Sequence, residues 1–483
     1  MVLSSGRRLV YHAGVTGDGT AGTRDAAPAR VVAGELAEVV AADVQRRRLV
    51  PRAVVVGLLA GLVAVAFRRA LAAGDVGRAM LFAWGRTLGA FGPLVAVVCG
   101  ASGAAVAVVL VRVAAPEASG SGIPHLKGVL HGLRPMRAVR ILLVKFAGGV
   151  VGIASGLALG REGPTIQMGG AVGQLVGGWL RATPRERQTL VAAGAGAGLA
   201  AAFNAPLAGL VFVLEELQRD FSPPMFTTAL VASVVADVVA RSLSGQLPVF
   251  HVTTAAIPPL GSLPTAVVVG ALAGLLGVAF NRALVATLEA FDRLRAWPGW
   301  LTGGAVGVAV GLVGWRLPAV IGSGSDLVAA TLAGGLAPPL LAITFVARFA
   351  LTMVSYGCGA PGGIFAPLLV LGAQLGFAVG LASQALGTAW TATPETFAVV
   401  GMAAYFAAIV RAPLTGIVLI VEMTGNYALV LPLLVACLVA YGGADLLGDR
   451  PIYEALLERD LLRVVDAPVP VAAGADVASA PGR

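Results

Sequence analysis

Three apolar blocks of this chain are written twice, about two hundred residues apart, and each is broken by glycine or proline. Gly120-Ser121-Gly122 returns as Gly322-Ser323-Gly324, a shift of 202. Gly160-Arg161-Glu162-Gly163-Pro164 aligns with Gly363-Ile364-Phe365-Ala366-Pro367 at a shift of 203. Ala205-Pro206-Leu207-Ala208-Gly209 aligns with Ala412-Pro413-Leu414-Thr415-Gly416 at a shift of 207. The glycines extend the match: Gly169, Gly173 and Gly177 return as Gly372, Gly376 and Gly380, and Gly194 as Gly401. Two copies of one interrupted hydrophobic pattern imply a transporter built from repeats, with its site where the broken helices meet.

The solvent of this chain is lipid. Only 12% of its 483 residues are charged, about half the share of a soluble domain, and its mean hydropathy is +0.87. Ala53–Ala66, Leu94–Val111, Ala266–Phe280 and Leu429–Val439, with their flanks, read as spanning segments. Pro206–Leu214 and Pro413–Val421 are too short for a straight span, which needs about 20 residues. Unwound backbone at membrane depth survives only where it is buried in protein or lines a cavity, so tilted and broken helices around a central site are expected. The formal charge of +9 is carried outside the apolar runs, as in Arg46-Arg47-Arg48. That is the pattern of membrane topology; without a basic stripe interleaved with aromatics it does not indicate nucleic acid. Cys99, Cys358 and Cys437 are odd in number and lack ligand spacing, so they read as small buried hydrophobes, with no disulfide, metal site or cofactor expected.

The expected organisation is a polar cytoplasmic lead over 1–50, a membrane domain over 51–448 and a short cytoplasmic tail over 449–483. The repeat halves fall roughly at 53–245 and 262–448. The first 52 residues have no apolar core of a cleavable leader, and the tail is too short for an appended regulatory domain.

Each repeated block opens a predicted helix, and helix N-termini present free N–H groups and partial positive charge. Several aimed at one point in the membrane make a site for a small anion without a full cation. Glu162 lies in an apolar region and its repeat mate is Phe365. An intramembrane acid marks a functional site by default; ionised, it can occupy an anion site, and protonated it can leave. Glu215 maps onto Glu422 and belongs to the shared scaffold, where an acid caps or pairs buried groups. Glu216 maps onto Met423, so only one half carries this acid; a proton-specific role and an acid snorkelling at a helix end both fit it. Ser121 offers a hydroxyl beside a glycine-flanked turn. Tyr453, taken alone, reads as an interface-belt tyrosine.

Together these motifs resemble the CLC family of chloride channels and chloride–proton antiporters over roughly residues 50–460; Ala202-Phe203-Asn204-Ala205-Pro206-Leu207-Ala208-Gly209 fits the family as well. The resemblance implies an all-α membrane protein with an inverted repeat of tilted, broken and re-entrant helices, dimeric, with one pore per subunit, in the cell inner membrane. It implies that Ser121 and Tyr453 hold a chloride with their hydroxyls and that the amides of Ile364 and Phe365 complete that site. Glu162 would be the external gate, with the amides around Arg161 and Gly163 lining the outer site. Glu216 matches the internal proton-transfer glutamate of the family's antiporters, and Lys145 a basic residue that sets the potential near the ion path. Serine in the first motif looks chloride-preferring, since nitrate-selecting relatives often carry proline there, and fluoride-exporting relatives depart in the first two motifs. His125 and Lys127 stand where some bacterial relatives carry acids.

The implied substrates are chloride and protons exchanged across the bilayer. The nearest rival is a passive chloride channel on the same fold; family channels commonly lack an acid at the Glu216 position. An intramembrane serine protease at Gly100-Ala101-Ser102-Gly103 would need a base, and none of His12, His125, His131 and His251 lies in a long apolar run. An organic-solute carrier is disfavoured by a site of backbone donors and hydroxyls.

Overall fold

A computed structural model describes residues 26–246, 250, 258–387 and 392–465. The chain divides into two units, 1–45 and 46–483; the described part of the first is helical from Ala26, and the apolar bundle belongs to the second.

Among the described residues the helices fall into two sets of eight. The first set is α1 (Ala26–Thr87), α2 (Gly92–Ala114), α3 (Ile123–Leu130), α4 (Ala138–Ala154), α5 (Glu162–Trp179), α6 (Pro184–Phe203), α7 (Pro206–Phe212) and α8 (Pro223–Ser244). The second is α9 (Leu263–Arg293), α10 (Gly299–Arg316), α11 (Ser325–Leu332), α12 (Pro338–Gly357), α13 (Phe365–Ala385), α14 (Pro394–Val410), α15 (Pro413–Thr424) and α16 (Val430–Leu446). A last helix, α17 (Ile452–Val465), closes the chain's described part. Among the described residues seven helices are long and apolar enough to cross a membrane, and they contain all four segments read as spans in the sequence. The segments judged too short form α7 and α15.

Equivalent helices of the two sets run antiparallel. Gly100 of α2 packs on the backbone of Gly307 of α10, Gly303 on Ala104 and Gly311 on Ala96, so rising numbers in one helix meet falling numbers in the other. At α7 and α15 the pairing is reciprocal. The Glu215 carboxylate, just past α7, accepts the N–H of Leu414 (3.1 Å) and of Thr415 (2.7 Å) at the start of α15. The Glu422 carboxylate, in the last turn of α15, accepts the N–H of Leu207 (3.1 Å) and of Ala208 (2.8 Å) at the start of α7. Each acid satisfies the free N–H groups of the other half's helix. The repeat is therefore inverted, and the shared acids cap the scaffold as the sequence suggested.

The repeated glycines are close-approach points. A Cβ on Gly169 would lie 2.1 Å from the carbonyl of Gly194, and one on Gly372 would lie 2.5 Å from that of Gly401. Only bare backbone lets α5 meet α6, and α13 meet α14, at this distance. The helices α6 and α14 are buried on nearly all sides, as helices at the centre of a membrane bundle must be.

Two buried cations fasten the turns ahead of α3 and α11 in the same manner. Lys145 Nζ donates to the carbonyls of Ala118 (2.9 Å) and Gly120 (2.7 Å). Arg348, its repeat mate, donates to Val320 (2.9 Å), Gly322 (2.7 Å) and Ser323 (2.8 Å). The resemblance led to the expectation that Lys145 sets the potential near the ion path; its ammonium also holds the turn that carries Ser121.

Candidate functional site

Three broken strands of backbone meet at the centre. Gly120 N donates to Ala360 O (3.2 Å), and Gly362 N returns a bond to Gly120 O (2.9 Å). Gly160 and Gly363 exchange two bonds of 2.7 and 2.8 Å. These links bring the N-termini of α3, α5 and α13 together. A Cβ on Gly163 would stand 2.9 Å from Ser121 Cα and 3.0 Å from Gly363 Cα, so Ser121, Gly163 and the Gly363 turn share one point. Gly122 precedes α3 in the left-handed region at φ +78°, which glycine adopts without strain. Three helix N-termini converge here, and the dipoles and leading N–H groups of helices favour negative charge at such a point.

The two hydroxyls expected there are both buried. The Tyr453 hydroxyl has no hydrogen-bond partner among the described residues, so it is a free donor. An interface-belt position is overturned: Tyr453 is wholly enclosed, within electrostatic reach of Tyr356, Glu216 and Glu162. Ser121 Oγ accepts the N–H of Ile123 (3.3 Å) and the O–H of Tyr356 (3.4 Å). With its oxygen so engaged, the serine proton is left to donate outward. Tyr356 escaped the sequence reading because it lies 235 residues from Ser121. In the structure Gly120 makes room for the ring, since a Cβ there would come within 2.8 Å of the Tyr356 hydroxyl.

Ile364 caps α13 and Phe365 is its first residue. The Phe365 ring is fixed among Phe203, Phe212 and Phe406, with its centroid 4.5 Å from that of Phe406. Glu162, first in α5, is buried. Its carboxylate lies near the backbone N–H of its own residue and of Ala366, with one oxygen that has no hydrogen-bond partner among the described residues, which adds Ala366 to the expected set. Arg161 Nε lies 3.8 Å from it. The acid thus sits over two helix N-termini, in the kind of place an anion would take.

Glu216 is 2% exposed and paired to Lys127 Nζ at 2.7 Å. An acid snorkelling at a helix end is thereby overturned. It lies in a π-helical turn, Val213–Gln218, whereas α15 continues regularly through the equivalent Met423. Such single turns are rare and gather at functional sites. His125 is also buried, its ring facing Gln167 and the carbonyl of Pro135. Ser102 is exposed and hydrogen-bonded to the carbonyls of Val98 and Cys99, which removes the protease reading. Ser323, mate of Ser121, bonds through its hydroxyl to Ser325 and lends its carbonyl to Arg348.

A cavity of about 590 Å³ runs to Gly120, Gly122 and Tyr356 from the α17 side. Arg112, Arg134, Arg137, Arg295, Arg459 and Arg463 line it against only Glu117, Asp292 and Asp460 among acids. The excess of positive charge concentrates anions at the mouth. The corresponding cavity ahead of α11, about 580 Å³, balances Arg78 and Arg86 with Asp75 and Asp326.

Fold and site together define an inverted-repeat membrane transport protein built around an anion site. Residues 103–445 match the family model described as the voltage gated chloride channel. The chain is 42% identical over 418 residues to the H(+)/Cl(-) exchange transporter ClcA of Vibrio cholerae, covering 84% of this chain and 88% of that protein. It is 41% identical over 428 residues to the ClcA exchanger of Klebsiella pneumoniae, covering 85% and 88%. Among solved structures it resembles a slow cyanobacterial Cl-/H+ antiporter with a TM-score of 0.83 and 38% identity, over 86% of this chain and 98% of that one. The chain belongs to the voltage gated chloride channel family, which its motifs resembled from the outset.

Proposed function

We propose that this protein exchanges chloride against protons across the cell inner membrane, as a homodimer with one pathway per subunit. The observation that carries this reading over a passive channel is the second buried acid, Glu216, held in a π-turn that the other half lacks. The exchange named for the relatives from Vibrio and Klebsiella supports it.

Chloride reaches the centre through the arginine-lined cavity and sheds its water between Ser121 Oγ, Tyr453 Oη and the N-terminal amides of α13 at Ile364 and Phe365. Glu162, when ionised, competes with chloride for the outer amides, including those around Arg161 and Gly163. A proton turns it into a neutral acid, which loses its attraction to the dipoles and swings out, opening the outer site. Glu216 delivers that proton from the inner side and is itself reloaded there. Two buried carboxylates, Glu162 and Glu216, both within electrostatic reach of Tyr453, give protons a route apart from that of chloride at its inner end.

The test is proton movement in chloride-loaded proteoliposomes under an outward chloride gradient, with no initial pH gradient and the voltage held near zero by an ionophore. Uphill proton uptake is expected, and Glu216→Ala should abolish it while chloride efflux continues. Chloride efflux with no proton movement in the parent protein would establish the channel instead.

The hydroxyl chain at Ser121 gives a second expectation. Tyr356→Phe frees the serine rotor, and loss of one such hydrogen bond should weaken chloride binding about three- to tenfold by calorimetry. An unchanged dissociation constant would leave Tyr356 as mere packing.

A further inference from the structure

Glu216 is sealed from water, yet a proton carrier must be reloaded. Its surroundings define how that can happen. From α3 it meets Lys127 at 2.7 Å; from α17, Glu454 Oε1 lies 3.8 Å from the same ammonium. Glu454 also pairs with Arg219, which comes directly after the π-turn with a left-handed backbone at φ 53°. Tyr453, beside Glu454 in the chain, is within electrostatic reach of Glu216 as well. The charges that Glu216 feels are those of Lys127, Arg219 and Glu454. Two cations and two anions make this cluster neutral, and only its outer half reaches solvent: the Glu454 side chain is 38% exposed and that of Arg219 61%.

A carboxylate held by an ammonium does not readily take a proton, because the protonated acid leaves that ammonium without a counter-ion in a buried place. We propose that Glu454 is the exchange partner for Lys127: as Glu216 gains a proton, the Lys127 ammonium moves its ion pair to Glu454, and it returns when Glu216 gives the proton up. Protonation then raises the cluster from zero to one positive charge. Without Glu454 it would rise from one to two. Glu454 acts through Lys127 and never touches chloride, so it is a positioning residue. Nothing in the repeat supplies it, since α17 has no counterpart among the sixteen paired helices. The inference rests on the reading of Glu216 as a proton carrier.

The experiment is the pH profile of proton uptake and of chloride efflux in proteoliposomes, with chloride affinity measured by calorimetry on the same preparations. Glu454→Gln leaves Lys127 fixed on Glu216. The midpoint of proton uptake should move to lower pH, and protons carried per chloride should fall about three- to fivefold, the size expected of a half-exposed ion pair. Chloride affinity should stay unchanged, which shows that Tyr453 on the same helix is in place. Arg219→Gln releases Glu454 toward Lys127 and should move the midpoint the opposite way, to higher pH. In a Lys127→Met background Glu454→Gln should have no further effect. An unaltered profile in Glu454→Gln, or shifts of the same sign in both single variants, would overturn the proposal. If Glu454→Gln loses chloride binding, the opposite shift in Arg219→Gln still decides. Glu216→Ala separates the two ideas. If it still carries protons at the parent ratio, the carrier reading falls. If it stops them while Glu454→Gln does nothing, only the exchange partner falls.

Discussion

Glu162→Gln is expected to leave chloride moving while proton movement falls about tenfold or more, to the leak of empty vesicles. The carboxylate lies near the N–H groups of Glu162 and Ala366 at the ends of α5 and α13. Those donors and the aligned peptide dipoles favour a negative charge in that position. The amide of glutamine has nearly the same shape and no charge, and its NH2 end meets donors with donors. It therefore has no reason to stay over the amides and no proton to exchange. Chloride meets an outer site without a rival anion, so its turnover should hold within a few-fold of the parent or rise. Parallel chloride and proton traces from the same vesicles read this directly. Loss of chloride efflux, or protons still moving in fixed ratio to chloride, would remove Glu162 from the gate.

The second large effect is expected at Lys145, which no ligand touches. Its ammonium is wholly buried, has no carboxylate partner among the described residues, and holds the carbonyls of Ala118 and Gly120. Lys145→Met strips the Ala118 carbonyl of its donor in a buried place, at about 1–3 kcal/mol, and leaves the Gly120 carbonyl with the N–H of Gly362 alone. Part of this is regained because the cost of burying an unpaired charge disappears. The turn that loses its fastening leads straight into Ser121. Chloride binding should weaken about tenfold or more, equal to roughly 1.4 kcal/mol, and thermal unfolding should move to lower temperature. Lys145→Arg should retain part of both, since Arg348 performs the same task in the other half with three carbonyls. Calorimetric affinity within twofold of the parent in Lys145→Met would show that the turn stands without its cation.

Duplication is what made much of this molecule legible in its sequence. Comparing Glu215 with Glu422, and Glu216 with Met423, separated a scaffold acid from a singular one before any coordinates, because whatever both halves keep must serve what both halves share. The duplicated glycines announced the crossings of α5 with α6 and α13 with α14 in the same way. Contacts outside the repeat were not legible. Lys127 meets Glu216 across 89 residues, and Tyr356 meets Ser121 across 235; no periodicity links such positions. Tyr453 was misplaced when read alone because a tyrosine just past the last apolar run fits a membrane surface equally well; the family resemblance pointed it inward, and its complete burial on α17 agrees. The π-turn was hidden for a different reason. It is a change in backbone winding over six residues, and the apolar run through Leu214 is equally compatible with an ordinary helix.

The crossed caps at α7 and α15 also govern how the molecule can be made. Synthesis completes α7 long before Glu422, which stands 215 positions beyond Leu207, the residue whose amide it accepts. Throughout that interval the leading amides of α7 are without their native partner, and no rearrangement within the first half can supply it. A nascent first half in the bilayer is therefore an unfinished product that needs water, a headgroup or the insertion machinery to occupy those amides. Once the second half arrives, both caps close in one event, since α15 receives Glu215 as α7 receives Glu422. Assembly of the centre is in this sense a handshake. A chain cut between the halves should yield an ordered protein only when both pieces enter the same membrane together.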